Sequence, residues 1–353
     1  MERQVSEFPW EFLTILSDIV SCSCPNLKSL ELDSSLNFLD GSISDLWTLL
    51  NSSCLERVSC SLLVNSSTGI WNGLPDCVHS LTLRRGYQGN VPAAESLVNC
   101  CLESLTIQNL SIDCSLLSEN AVIFPKLKVL KVHANDSFHW DRLCYAGQLQ
   151  TFHYDSSNFL PSLTAIEYVA ARNPFLTEIC ITISVSSFYL NKVLLLLAKI
   201  PTLRKLTVGY LAWNGCRLMA EYVNIVSPVE TMTVTLRLEK VPEKFFYLLS
   251  TNYPNLKHLN LEVYMICPEA KGWLNIVPCS LSLPSLETFK LSCKTSSDLA
   301  ALNLRLSTGD CLKEILIQSP LSRNDIPWLS KTGRVDFPNP WPFLKNLTIN
   351  SFS

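Results

Sequence analysis

One pattern, L-x-x-L-x-L, recurs thirteen times along this chain of 353 residues. The segments read LKSLEL (27–32), LERVSC (55–60), VHSLTL (78–83), LESLTI (102–107), LKVLKV (127–132), LQTFHY (149–154) and LTEICI (176–181). They continue as LRKLTV (203–208), VETMTV (229–234), LKHLNL (256–261), LETFKL (286–291), LKEILI (312–317) and LKNLTI (344–349). First positions advance by 22 to 32 residues, with a mean of about 26. The fourth and sixth residues of each segment alternate onto one face of a short strand, and the first anchors the chain before it. The matches at 176 and 229 are the least distinctive, because ITIS and VTLRL alternate as well.

Between these strands lie apolar residues at helical spacing. They include Leu163–Ile166–Val169–Ala170, Val193–Leu196–Leu197, Met219–Tyr222–Val223–Val226 and Phe245–Leu248–Leu249. A strand–helix unit of this size cannot close its own core, so successive units must stack. The period therefore predicts an α/β leucine-rich-repeat solenoid of about 13 irregular repeats. Its horseshoe carries parallel strands on the concave face and helices on the convex face. Seven anchors have a proline two residues earlier: CPNL (24–27), FPKL (124–127), NPFL (173–176), IPTL (200–203), YPNL (253–256), LPSL (283–286) and WPFL (341–344). Proline ends the preceding helix and sets the extended geometry that follows. FLPSL (159–163) instead opens a helix over 162–171. The asparagine that commonly follows such strands is nearly absent, Asn135 being the one fit, so uneven curvature is expected.

Residues 1–23 read as an N-terminal cap, an amphipathic helix with Phe8, Phe12, Ile15, Leu16 and Ile19 on one side. Residues 24–353 form a single repeat domain, and 323–340, rich in Pro, Asn and Trp, is expected to be an ordered surface loop.

Leucine accounts for 60 residues, and hydrophobic residues reach 47% against 17% charged, which excludes disorder. Net charge is −3, contrary to a chain that coats nucleic acid or anionic membrane. Glu2, Arg3, Glu7, Glu11 and Asp18 interrupt any leader, and the most apolar run (193–198) is far short of the roughly 20 residues a span needs. The expected compartment is the cytoplasm or nucleus, with no membrane partner. Fifteen cysteines, an odd number with no C-x-x-C, argue against a disulfide framework or zinc. Cys54, Cys77, Cys101 and Cys311 each sit directly before an anchor, and buried packing thiols are expected there.

The strand pattern assigns three residues per repeat to the concave face. Those 39 positions hold five Lys/Arg and six Asp/Glu and are rich in Ser and Thr, so a phosphate-tracking surface is not expected. Candidate partner-binding residues on this face are Arg57, Arg84, Lys131, His133, His153, Asp155, Glu178, Lys205, His258 and Glu262. His133, His153 and Asp155 fall on adjacent strands, where a metal or acid–base cluster competes with an ordinary polar patch; no further ligand joins, so the patch is expected. No phosphate-cradling, nucleophile-elbow or H-E-x-x-H motif is present among only 11 Gly. The chain is expected not to be an enzyme and to use no cofactor.

The phrases CPNLKSLEL, CLESLTI, FPKLKVLKV, YPNLKHLNL and LPSLETFKL resemble the leucine-rich arms of F-box proteins over nearly the whole chain. That resemblance implies a substrate-recognition arm whose companion F-box recruits a cullin–RING ubiquitin ligase through its adaptor. EFPWEFLTILSDI (7–19) is too short to be a complete F-box, so no F-box residue is assigned. The sensor repeats of innate-immune nucleotide-binding receptors look similar too. A metal-dependent enzyme is the third reading and the least favoured. The expected role is a protein-binding scaffold that captures a partner on the concave face.

Overall fold

The computed structural model describes residues 10–20, 24, 26–37, 40–64, 74–85, 90–92, 101–108, 111–113, 124–133, 148–156, 163–213, 225–238, 243–265, 279–293, 304–308, 310–319 and 346–351. The chain divides into two compact units, Met1–Leu176 and Thr177–Ser353.

The first unit runs α1 (Trp10–Asp18), β1 (Ser29–Asn37), α2 (Asp40–Ser52), β2 (Arg57–Val64), β3 (Val78–Arg85), β4 (Asn90–Pro92), β5 (Ser104–Gln108), β6 (Ser111–Asp113), β7 (Val129–His133), β8 (Thr151–Ser156) and α3 (Leu163–Arg172). Six of its strands pair in parallel in the order β1-β2-β3-β5-β7-β8. The second unit runs β9 (Glu178–Ser186), α4 (Ser187–Ala198), β10 (Lys205–Trp213), β11 (Thr231–Leu238), α5 (Glu243–Asn252), β12 (His258–Met265), β13 (Cys279–Leu283), β14 (Thr288–Cys293), β15 (Leu304–Thr308), β16 (Glu314–Ser319) and β17 (Asn346–Ser351). Its parallel order is β9-β10-β11-β12-β14-β16-β17. Small parallel pairs, β4 with β6 and β13 with β15, were not expected from the sequence. Long parallel sheets joined by crossovers are compatible with a repeat solenoid.

Burial follows the alternation. In β5, β7 and β14 every second residue is buried and its neighbours are half-buried. Along the second unit Leu206, Val208, Met232, Val234, Leu259, Leu261, Phe289, Leu291, Ile315 and Ile317 fill one face. Helix α4 contacts β9, β10 and α5, and it buries Val193, Leu194, Leu197 and Ala198. Helix α5 packs on β13 with Phe245, Phe246, Leu248 and Leu249 inward. The helices thus take the apolar side and leave the Ser/Thr-rich side of the sheet half-exposed.

Pro125, Pro174, Pro201, Pro254 and Pro284 each occupy the second place of a tight turn, where the fixed φ is already suitable. The anchor amides of Leu127, Leu176, Leu203, Leu256 and Leu286 donate to the carbonyls of Phe124, Asn173, Ile200, Tyr253 and Leu283, at 3.1–3.3 Å. Pro25 and WPFL (341–344) lie outside the described residues, as do 323–340. Where Val229 lacks such a turn, neighbouring asparagines stitch the chain instead. Asn252 Nδ2 donates to the Ile225 carbonyl (3.0 Å) and Asn255 Nδ2 to that of Ser227 (2.9 Å).

Several expectations are corrected. In α1 Leu16 is buried and Ile15 is 58% exposed; just past the helix Ile19 is exposed and Val20 buried, so Ile15 and Ile19 leave the expected inward stripe, while the side chains of Phe8 and Phe12 lie outside the described residues. Val226 stands outside any helix and is exposed; Met219, Tyr222 and Val223 lie outside the described residues. Cys54 and Cys311 are exposed and Cys77 and Cys101 only half-buried. The residue before an anchor sits at the tip of the turn, where Lys126, Phe175 and Asn255 are also exposed. The buried thiols are Cys60 and Cys293, on strands, and burial pushes the Cys60 thiol up to about 12. After an irregularity between Val58 and Ser59, β2 and β3 pair two residues off the segment alignment, Cys60 with Leu81 and Leu62 with Leu83. A slip of two keeps every apolar residue on its own face, so the core tolerates it.

Tyr253 is fully buried, its hydroxyl donating to the Leu194 carbonyl of α4 at 2.6 Å, and burial raises its pKa. Tyr253→Phe is expected to cost about 1 kcal/mol. Urea unfolding followed by circular dichroism checks this, with an unchanged midpoint as the contrary result.

Candidate functional site

The half-exposed sheet faces carry all ten sequence-predicted site residues, and each unit presents its own set. Parallel pairing fixes their neighbours. In the first unit, Arg84 is opposite Gln108, Lys131 opposite His153 and His133 opposite Asp155. His133 Nδ1 and Asp155 Oδ2 approach to 3.3 Å. His153 is half-buried beside Lys131. Among the described residues no three His, Cys, Asp or Glu side chains converge as metal ligands, so the three residues singled out in the sequence form one pair plus a neighbour. Arg57 reaches past β3 to Glu103 at 3.5 Å, which ties it to the strand-start edge of the sheet.

In the second unit Glu178 and Lys205 are cross-strand partners and pair at 2.8 Å. His258 Nδ1 lies 2.8 Å from Thr288 Oγ1, and Thr235 Oγ1 donates to Glu262 Oε2 at 3.1 Å. His258 and Glu262, four apart on β12, each turn to a neighbouring strand. Ser292 Oγ donates to Gln318 Oε1 at 3.1 Å. Gly209 packs tightly against Thr182, since a Cβ there would meet Thr182 Cγ2 at 3.1 Å and press it aside. This unit's face is rich in hydroxyls, several of them bonded across strands.

A second polar row was missed by reading only the face positions. The residue directly after each anchor lies where the strands begin. In the second unit these run Thr177, Arg204, Glu230, Lys257, Glu287 and Lys313, the five charged ones alternating in sign; Lys345 lies outside the described residues. Lys257 pairs with Glu230 at 2.9 Å and Lys313 with Glu287 at 2.6 Å. In the first unit Lys28 pairs with Glu56 at 2.6 Å and Lys128 with Glu103 at 3.2 Å. The alternation in LRKLTV, VETMTV, LKHLNL, LETFKL and LKEILI was the available signal. Hydrogen bonds from Lys257 and Lys313 lower the Glu230 and Glu287 pKa values, and Glu56 and Glu230 raise those of Lys28 and Lys257. Exposed pairs of this kind add little stability each, but their alternation penalises any misregister that sets like charges side by side.

The chain matches no protein-family model, and no curated protein matches it. Among the described residues no helix is long and apolar enough to cross a membrane.

Glu103 is held below its ordinary 4.5 mainly by the hydrogen bond from Lys128, then by the charges of Lys128 and Arg57. A lowered carboxylate pKa adds stability that is present above 4.5 and is lost as pH falls through the folded value. The stability gap between the native chain and Glu103→Gln is therefore expected to shrink on acidification. Urea midpoints of both proteins at neutral pH and at about pH 2.5 measure it; a pH-independent gap contradicts the assignment.

Proposed function

We propose that this chain is a leucine-rich-repeat solenoid acting as a non-enzymatic protein-binding scaffold. Its role is that of a substrate-recognition arm like those of F-box ubiquitin-ligase adaptors. The observation that carries this reading is the parallel strand array of each unit, which buries apolar residues on one side and turns mostly polar side chains, many of them Ser or Thr, to the other. Threonines and serines on each unit's face, such as Thr82 and Thr106 in the first and Thr207 and Thr233 in the second, give hydrogen-bonding surface. Charge on it is spread and balanced, in keeping with protein surfaces rather than a phosphate backbone. Partner capture would use the faces bearing Arg84, Lys131, Glu178, Lys205, His258 and Glu262. The sequence resemblance supplies the ligase connection.

Affinity purification of the full chain with mass spectrometry tests both parts. A cullin–RING adaptor is expected to co-purify along with a second, stoichiometric protein. Thr106→Trp on the first unit's face or Thr233→Trp on the second's should abolish capture of that protein while the melting temperature holds. A well-populated set of captured proteins lacking any cullin adaptor defeats the ligase role, and capture unchanged by both substitutions defeats the sheet-face role.

A further inference from the structure

Cys101 and Lys126 occupy the same place in successive repeats, each directly before a buried anchor, Leu102 and Leu127. Pairing of β5 with β7 begins at Ser104 and Val129, and just ahead of it the Glu103 carbonyl accepts the Lys128 and Val129 amides at 2.8 and 3.0 Å. The two residues are therefore neighbours across adjacent strand starts, at the ordinary strand spacing of about 4.8 Å. The Pro125 turn, closed by the Leu127 amide on the Phe124 carbonyl at 3.2 Å, fixes the backbone that carries the lysine. Lys126 Nζ donates to Cys101 Sγ at 3.0 Å, the lysine exposed and the cysteine half-buried. Two nucleophiles of different repeats thus touch where solvent reaches them. Other thiols just ahead of anchors are placed differently. Cys77 Sγ donates to the Leu50 carbonyl at 3.9 Å, and burial pushes that thiol up. Near Cys54 the ammonium of Lys28 is drawn to Glu56 at 2.6 Å.

We propose that Cys101 and Lys126 are a redox modification site, joined by a direct sulfur–nitrogen bond when hydrogen peroxide oxidises the cysteine. In the first step the Cys101 sulfur attacks one peroxide oxygen and the O–O bond breaks. The thiol proton leaves with the displaced hydroxide as water, and a sulfenic acid remains; sulfur has given up two electrons and the peroxide has taken them. In the second step Lys126 Nζ, having released its ammonium proton to solvent, attacks that sulfur. An S–N bond forms, the S–O bond breaks, and hydroxide departs with a proton from nitrogen as a second water. The net change is loss of one hydrogen from sulfur and one from nitrogen. A separation of 3.0 Å places the amine within attacking distance while both turns stay where they are. The competing capture is by Cys77, the neighbour on β3, but its sulfur is engaged with Leu50 of α2. The new bond ties one repeat to the next across residues 102–125, and thiol reductants reverse it by attacking the same sulfur and releasing the amine.

The test is peptide mapping of the full chain after a small excess of hydrogen peroxide, with and without later dithiothreitol. Trypsin is expected to stop cutting after Lys126, because the modified side chain no longer presents an ammonium. The resulting peptide, 86–128, should be lighter by the two hydrogens removed, and fragmentation should place the link between Cys101 and Lys126. Dithiothreitol should restore both the mass and the cleavage. Lys126→Arg keeps the positive charge without an amine able to attack, so it should abolish the bridge while Cys101 still oxidises. Lys126→Gln should lose the bridge as well, and Cys101→Ser should lose it together with the oxidation. Cys77→Ser should leave the bridge unchanged. A disulfide between Cys101 and Cys77 overturns the inference, as do oxygen adducts on Cys101 with normal cleavage after Lys126. A bridge that keeps an oxygen between sulfur and nitrogen overturns the direct bond, and a link at Cys101 that persists in Lys126→Arg overturns the role of the lysine.

Discussion

At eight strand starts one backbone carbonyl, that of the residue after the anchor, sets the geometry. Lys28 O accepts the amides of Glu56 and Arg57; Glu103 O those of Lys128 and Val129; Lys128 O those of Gln150 and Thr151. The second unit repeats the fork at Thr177, Arg204, Glu230, Lys257 and Glu287, each accepting two amides from the next strand at 2.7–3.1 Å. A carbonyl has two lone pairs, and using both locks each strand start against the last. The anchor, buried at 0% in Leu102, Leu127, Leu176, Leu203, Leu256 and Leu286, holds the forked residue in place from below. Register at those strand starts follows from this bond pattern, while farther along it shifts in β1/β2, β9/β10 and β10/β11.

Where the fork is missing the structure changes in a readable way. At β2/β3 the Val58 amide instead donates to Cys77 O at 2.8 Å, and pairing slips by two residues. The apolar face survives, but the polar neighbours are altered. Arg57 loses its row and reaches across to Glu103, leaving Arg84 to begin the aligned block that runs to Asp155.

The L-x-x-L-x-L spacing made the thirteen strands legible, since twelve of them begin two residues after the first position of their segment. Helices α3, α4 and α5 were legible from their apolar spacing. Side-chain direction at the turn tips was not, because Cys54 and Cys77 look like core residues until the turn shows that the position ahead of the anchor points outward. Of the site, the face assignments of Lys131, His133, His153 and Asp155 were readable from period two alone. Their pairing was not, because it depends on which residues of separate repeats come into register.

Sequence by itself determined that apolar residues return at a strand period every 26 residues or so, and hence that parallel strands share a buried side. That information is local, written in the alternation within each six-residue segment. Tertiary structure decided the two-residue slip, the ion-paired row at the strand starts and the partners of Arg57, Glu178 and His258. Each of these is a contact between residues more than twenty apart in the chain, and period two allows registers that differ by two to bury the same side chains equally well. Only the hydrogen bonds and charges between assembled strands choose among them.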